Sequence, residues 1–302
     1  MLLKRFAQFV LKGRLQAAGL ALLFAFLPFL GWVSNVIIAL VTLRNGARDG
    51  LFVLVWAMLP YIVVGFLANW IPFFNSVLLG GLLIWGLALI LRHYGSWALT
   101  LEFSALIAAC VIAVIHLFVP SLNVFWAQYL SSGFHKLATS FDLAVKEADL
   151  RQAIMTFAHY ATGFQAVIVL FGNYFVLMIA RYMQALLFHP DGLRHELINI
   201  RMDRIMALTC MVCVVLAVFG LAVFQDILPV LALSFGLAGV SLVHGYMDKH
   251  NQINHLRTLL CLMAFYLFLI ASAIFFPPLL LLVLLAAWAD SFFDFRCRLI
   301  MA

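Results

Sequence analysis

The sequence predicts an all-α protein: a polytopic transmembrane helical bundle of about ten membrane segments, with both termini cytoplasmic. Three observations predict it. First, 67% of the 302 residues are hydrophobic and only 10% are charged, with a mean hydropathy of +1.13. Soluble domains are about 45–50% apolar and about 25% charged. Too few polar side chains remain to cover a soluble surface, which excludes a soluble globular enzyme, a disordered chain and a disulfide scaffold. Second, the apolar residues form long runs, as membrane helices need, and not the short alternating segments of a membrane barrel. Third, the basic residues sort to one side of the plan those runs imply.

The runs cover 15–30, 32–43, 50–68, 77–91, 96–119, 161–180, 205–224, 227–243, 258–276 and 279–289. A full crossing needs roughly 20 residues. Pro28 and Gly31 split the first pair of runs, and Pro277 and Pro278 split the last. Proline removes a backbone donor and breaks or kinks a helix, so each pair reads as one kinked helix or a hairpin of two short ones. Charge decides between them, because cytoplasmic loops carry the excess of Lys and Arg. With two hairpins and ten crossings, 15 of the 18 Lys and Arg lie on the cytoplasmic side. Lys136, Lys146 and Arg151 are left outside, near Asp142, Glu147 and Asp149. With a single crossing over 15–43 the bias collapses, so the hairpin is preferred. The short segments then need thinned bilayer or shelter among neighbouring helices. The basic N-terminus, with Lys4, Arg5, Lys12 and Arg14, reads as a retained anchor, since no small-x-small cleavage site follows.

The chain is one integral membrane domain over 1–302: five segments in 15–119, an outer connector over 120–156, and five segments plus a cytoplasmic tail in 157–302. In the connector, Phe134, Leu137, Phe141, Val145 and Ala148 recur at intervals of three and four, with charged residues between them. That spacing predicts an amphipathic helix on the outer interface.

The net charge of +6 would suggest nucleic acid in a soluble protein. Here it reports topology, and nucleic acid is not an expected partner. The expected partners are the lipid bilayer and a membrane protein, either another chain or a second copy. Cys110, Cys210, Cys213, Cys261 and Cys297 imply no disulfide framework. The Cys210–Cys213 CxxC lies inside an apolar run and has no second ligand pair, so it reads as packing. His195-Glu196 begins an HExxH pattern that Asn199 ends. GxxxxGK[ST] and GxSxG are absent, so no catalytic motif, no ATPase and no metal site are expected, and no cofactor is named.

Chemistry therefore rests on the few polar residues within or beside apolar runs, which are costly in hydrocarbon. His116 ends the fifth run, with Trp126 and Gln128 beyond it. Gln165 and Asn173 lie on the sixth run, and Asn35 sits near the turn of the first hairpin. Asn35, His116, Trp126, Gln128, Gln165 and Asn173 are the candidate lining of an outer half-cavity, with Trp70, Phe73 and Phe74 as its aromatics. Interhelical hydrogen bonds use the same residue types. Glu102 reads as pairing with Arg92 or as functional. Ala17, Ala21 and Ala25 form an AxxxAxxxA face that admits a closely packed helix. Asp290, Asp294 and Arg296 form an acidic-basic tip within reach of Arg194, Arg201 or Arg204, a second docking candidate.

Two stretches carry a resemblance. One is the Pro28-Phe29-Leu30-Gly31 hairpin followed by Leu43-Arg44-Asn45-Gly46. The other is the tail Asp290…Asp294-Phe295-Arg296-Cys297-Arg298, preceded by Ser234-Phe235-Gly236-Leu237-Ala238-Gly239. Together with length and hydropathy plan, they resemble the YybS-like family of uncharacterised bacterial inner-membrane proteins. That family is similar to the substrate-binding subunits (S components) of energy-coupling-factor transporters. Those subunits bind a solute near the outer face and dock on a coupling subunit through an AxxxA helix. The resemblance implies a solute-binding or transport-associated protein of the bacterial inner membrane, docking through Ala17, Ala21 and Ala25. The alternative is a non-transport interaction or assembly protein of the cell envelope.

Overall fold

The computed structural model describes residues 2–27, 29–67, 71–119, 121–141, 147–190, 192–250 and 255–298; at 64, 66–67, 71–78, 135–141, 147–149, 249–250, 255–257, 274 and 297–298 it describes the backbone alone. The described chain is helical throughout and contains no strand. Its helices are α1 (Leu2–Leu11), α2 (Arg14–Phe26), α3 (Gly31–Asn45), α4 (Ala47–Leu67), α5 (Ile71–Tyr94), α6 (Trp97–Phe118), α7 (Leu122–Phe141) and α8 (Glu147–Ala158). They continue with α9 (Ala161–Phe188), α10 (Gly192–Ile198), α11 (Arg204–Val218), α12 (Ala222–His250) and α13 (His255–Phe275). After a 3₁₀ turn at Pro277–Leu279 come α14 (Leu280–Phe293) and α15 (Phe295–Arg298). Each apolar run overlaps a helix, in order: α2 to α6, then α9 and α11 to α14.

Three helices are by themselves long and apolar enough to cross a membrane among the described residues: Trp97–Phe118, Ala161–Phe188 and Ala222–Asp248. The pair α1 and α2, bent by 120°, would make a fourth if read as one broken span. The stretch expected to be an outer connector is two helices, α7 and α8, packed on each other. Of the residues predicted to form its amphipathic stripe, Val145 lies outside the described residues, as do the side chains of Leu137, Phe141 and Ala148. The predicted aromatics fare alike: Trp70 lies outside, and so do the side chains of Phe73 and Phe74.

The chain divides into two compact units, one of 1–101 with 169–200, the other of 102–168 with 201–302. In the first unit α3 is the interior helix. Every residue from Val36 to Leu43 is buried, and α2, α4 and α5 all pack against it. Fifteen residues of α-helix span about 22 Å, short of a hydrocarbon core of about 30 Å. A helix apolar on every face and too short to cross alone belongs inside a bundle, where neighbours satisfy what lipid cannot. Its C-terminus is closed by Gly46, whose N–H donates to the Thr42 carbonyl at 3.0 Å from a backbone φ of +104°. From the end of α5, Arg92 donates to the carbonyls of Thr42 and Leu43 at 3.3 and 3.1 Å. A cation there satisfies the helix's orphan acceptors and its negative dipole end. Gly50 lets α4 start against α3, since a Cβ on it would lie 2.0 Å from the Thr42 hydroxyl oxygen.

Ala17, Ala21 and Ala25, with Ala18, are the buried residues of α2, which packs on α3 and α4. The small-residue face is thus turned into this chain's own first unit, where close approach gains dispersion contacts.

In the second unit α12 packs on α11, α13 and α14. Gly239 marks the tight crossing with α14: a Cβ there would meet the Val283 side chain at 2.6 Å and its carbonyl oxygen at 2.8 Å. α14 ends at Asp294, a left-handed residue (φ +47°) whose N–H returns to the Asp290 carbonyl at 3.1 Å.

Candidate functional site

The most elaborate polar cluster among the described residues lies in the second unit and centres on Asp226. Gly220, at φ +87°, turns the chain between α11 and α12, so Gln225 and Asp226 fall in the first two turns of α12. Gln225 reaches back to cap α11, its amide donating to the Ala217 carbonyl at 3.0 Å. The Asp226 side chain is only 2% exposed, yet both its oxygens are engaged. Oδ2 faces His116 Nε2 at 2.7 Å, from the last turn of α6. Oδ1 accepts from the Gly163 N–H at 3.0 Å. That N–H belongs to the first turn of α9, where the helix itself provides no partner. Asp226 therefore caps α9 from another helix and places an anion at its positive end.

Gly163 is required for this approach. A Cβ on it would lie 2.1 Å from the Asp226 carbonyl oxygen and 2.9 Å from its carbonyl carbon. Neighbouring bonds extend the cluster. His159, just after α8, meets the Gln225 carbonyl oxygen through Nε2. Trp126 of α7 donates its indole N–H to Thr162 at 2.9 Å. With carboxylate and amide oxygens as the acceptors, His116 and His159 each carry a proton on Nε2. One carboxylate, two imidazoles, an indole and an amide thus gather at the ends of five helices. Within this centre Asp226 and His116 are in direct hydrogen-bond contact, the geometry a proton exchange between them requires.

Beside this centre α7 and α8 enclose a groove of about 1100 Å³. Its lining includes Val124, Ala127, Gln128, Arg151 and Met155. It reaches Ala158, the residue before His159.

Of the residues predicted to line an outer half-cavity, the structure brings His116 and Trp126 to the Asp226 cluster and Gln128 to the groove. Gln165 is exposed on α9. Asn173 is buried but bonds within its helix, its amide donating to the Val169 carbonyl at 2.8 Å. Eight residues advance a helix about 80° beyond two full turns, so Gln165 and Asn173 share a face only loosely. Asn35 is half-buried on α3 and, like Asn173, belongs to the first unit. Asp226, Gln225, His159, Thr162 and Gly163 were not legible as a site. The available signal was Gln225-Asp226 itself, a polar pair interrupting an otherwise apolar stretch from 205 to 243.

The tail residues are occupied within the second unit. Asp290, 1% exposed, accepts from the Phe295 N–H at 2.9 Å and from Arg296 Nε at 3.1 Å. Arg296 also reaches the Ser241 hydroxyl and the Ala238 carbonyl of α12. Burial lowers the Arg296 guanidinium below its ordinary value, and Asp290 pulls it back up. Asp294 pairs with Arg201 at 2.5 Å. Glu102 accepts from the Asp203 N–H at 2.6 Å, while Arg92, its expected partner, caps α3. In the first unit Arg181 and the Trp97 indole both bind Glu196, tying α10 to α9. Among the described residues no three His, Cys, Asp or Glu come together as a metal site would require.

Comparison of the chain with protein-family models, curated proteins and solved structures finds no match.

Proposed function

We propose that this chain is an integral membrane protein of about ten segments with both termini cytoplasmic, and that it binds or helps move a solute through the polar centre at Asp226. The observation that carries the reading is the Asp226–His116 pair itself. Two helices long and apolar enough to cross a membrane, α6 and α12, each contribute one partner. Burying a carboxylate there is expensive, and an apolar pair of similar volume would stabilise the bundle at least as well. Asp226 Oδ1 serves the start of α9, and it is the second contact, Oδ2 to His116, that we assign to ion or solute handling. The wide exposure of large apolar side chains along the helices supports a lipid environment: Ile168, Ile205, Val218, Leu267 and Leu282 are all more than half exposed.

The likeness to the YybS-like family and to transporter S components supports the same reading and suggests a bacterial inner membrane. The S-component scheme also calls for a separate coupling protein, since the sequence holds no ATPase motif. With Ala17, Ala21 and Ala25 buried, such a partner engages another surface.

Thermal-shift screening of the detergent-purified protein against vitamins, metal ions and lipid precursors tests the proposal. At least one class should raise the melting temperature of the wild type and lose that effect in Asp226→Asn and His116→Gln. A broad screen in which nothing stabilises the wild type, or in which both variants respond as fully as it does, contradicts it and favours the assembly role.

A further inference from the structure

We propose that the groove between α7 and α8 is a binding site for an anionic phospholipid drawn from the bilayer, a proposal that rests on the membrane reading above. The groove's chemistry is that of an amphiphile's complement. Val124 and Met155 line the groove and are 57% and 60% exposed, so it offers uncovered apolar surface for an acyl chain. The lining also carries amides and one charged side chain, the Arg151 guanidinium; among the described residues lining the groove none is acidic. A guanidinium binds phosphate oxygens in two parallel hydrogen bonds, a geometry that a zwitterionic headgroup shares but whose charge its amine offsets.

The position of the groove selects the bilayer as the source. Phe125, Trp126 and Tyr129 form a contiguous aromatic cluster on α7, with ring centroids 5.5, 5.8 and 6.4 Å apart. Phe125 and Tyr129 are themselves more than half exposed. Exposed aromatics of this kind sit at the headgroup level of a membrane. They set the adjoining groove at the depth where a phosphate would meet Arg151 and an acyl chain would lie along Val124 and Met155. The groove's lining reaches Ala158, the residue before His159, whose ring bonds Gln225.

The test is a titration of the full-length protein in neutral detergent with phosphatidylglycerol or phosphatidylcholine, read by native mass spectrometry and thermal stability. Phosphatidylglycerol should bind at least tenfold more tightly than phosphatidylcholine. Arg151→Gln should weaken phosphatidylglycerol about tenfold, the size of one charge-assisted bond. Val124→Trp, a change at an exposed position that fills the groove, should abolish the preference with the fold intact; Ala127→Trp should act alike. Equal binding of the two lipids, an unchanged preference in Val124→Trp, or reproduction of the effect by inorganic phosphate alone overturns the proposal. Membrane residence is checked separately: a chain released from membranes by alkaline carbonate without detergent would overturn the membrane reading, whereas one that needs detergent but shows no lipid preference overturns only the groove assignment.

Discussion

Replacing Gly163 with alanine perturbs the polar centre by one methyl group. The added Cβ would sit 2.1 Å from the Asp226 carbonyl oxygen, more than an ångström inside ordinary contact, and the obstacle is backbone rather than a flexible side chain. The start of α9 must move away from α12. The 3.0 Å bond from the Gly163 N–H to Asp226 Oδ1 is then lost, leaving a buried carboxylate with His116 alone. Overpacking costs about 1–3 kcal/mol, and a hydrogen bond to a charged group about 1.5–3 kcal/mol. Partial relaxation makes these overlap, so a loss of about 3 kcal/mol is expected, a melting temperature lower by roughly 5 °C for a chain of this length. Thermal unfolding in detergent, followed by intrinsic fluorescence, measures it. Gly172→Ala on the same helix is the control. A Cβ at Gly172 meets nothing within 4 Å, so alanine there should be neutral or stabilise by up to about 1 kcal/mol. If Gly163→Ala proves as stable as Gly172→Ala, the close approach and the capping role of Asp226 are both wrong.

Other expectations follow from the same contacts. Arg92→Gln removes the cation that closes α3 and should cost about 1 kcal/mol, seen as a lower melting temperature. Asp290→Ala leaves Arg296 largely buried beside α12 without its carboxylate and should cost about 3 kcal/mol. Because that loss comes from taking the carboxylate away from a largely buried guanidinium, the double variant Asp290→Ala with Arg296→Met should recover most of it in the same melt. Failure of the double variant to recover would place the loss in the αL turn at Asp294 instead.

The helices under the apolar runs were legible because long apolar stretches record them: every run overlaps one, although 205–224 crosses the Gly220 turn from α11 into α12, and α1, α10 and α15 fall outside the runs. α3 was legible as a short segment needing shelter, and its burial on every side supplies that shelter. The site was legible only in part. His116 stood out as a polar residue ending a run, and Trp126 followed it closely. Asp226 did not stand out, because averaging hydropathy places Gln225 and Asp226 in a gap between runs. In the structure that gap is the first turns of α12, since Gly220 completes the turn earlier. Gly163 and Thr162 carried no signal at all. Their roles come from where the first turn of α9 meets α12, a long-range juxtaposition that no local pattern encodes. The alanine face of α2, expected to dock a closely packed helix, is buried against helices of the first unit; which helix fills it is tertiary information.

The central claim, a membrane protein whose polar centre faces outward, is tested most directly by labelling with a membrane-impermeant maleimide. In a cysteine-free background, Gln128→Cys beside the groove and His195→Cys on α10 are both exposed positions. The account predicts that Gln128→Cys is labelled in cells whose inner membrane is intact, and that His195→Cys is labelled only after that membrane is permeabilised. The reverse pattern, or equal labelling of both without permeabilisation, would contradict it.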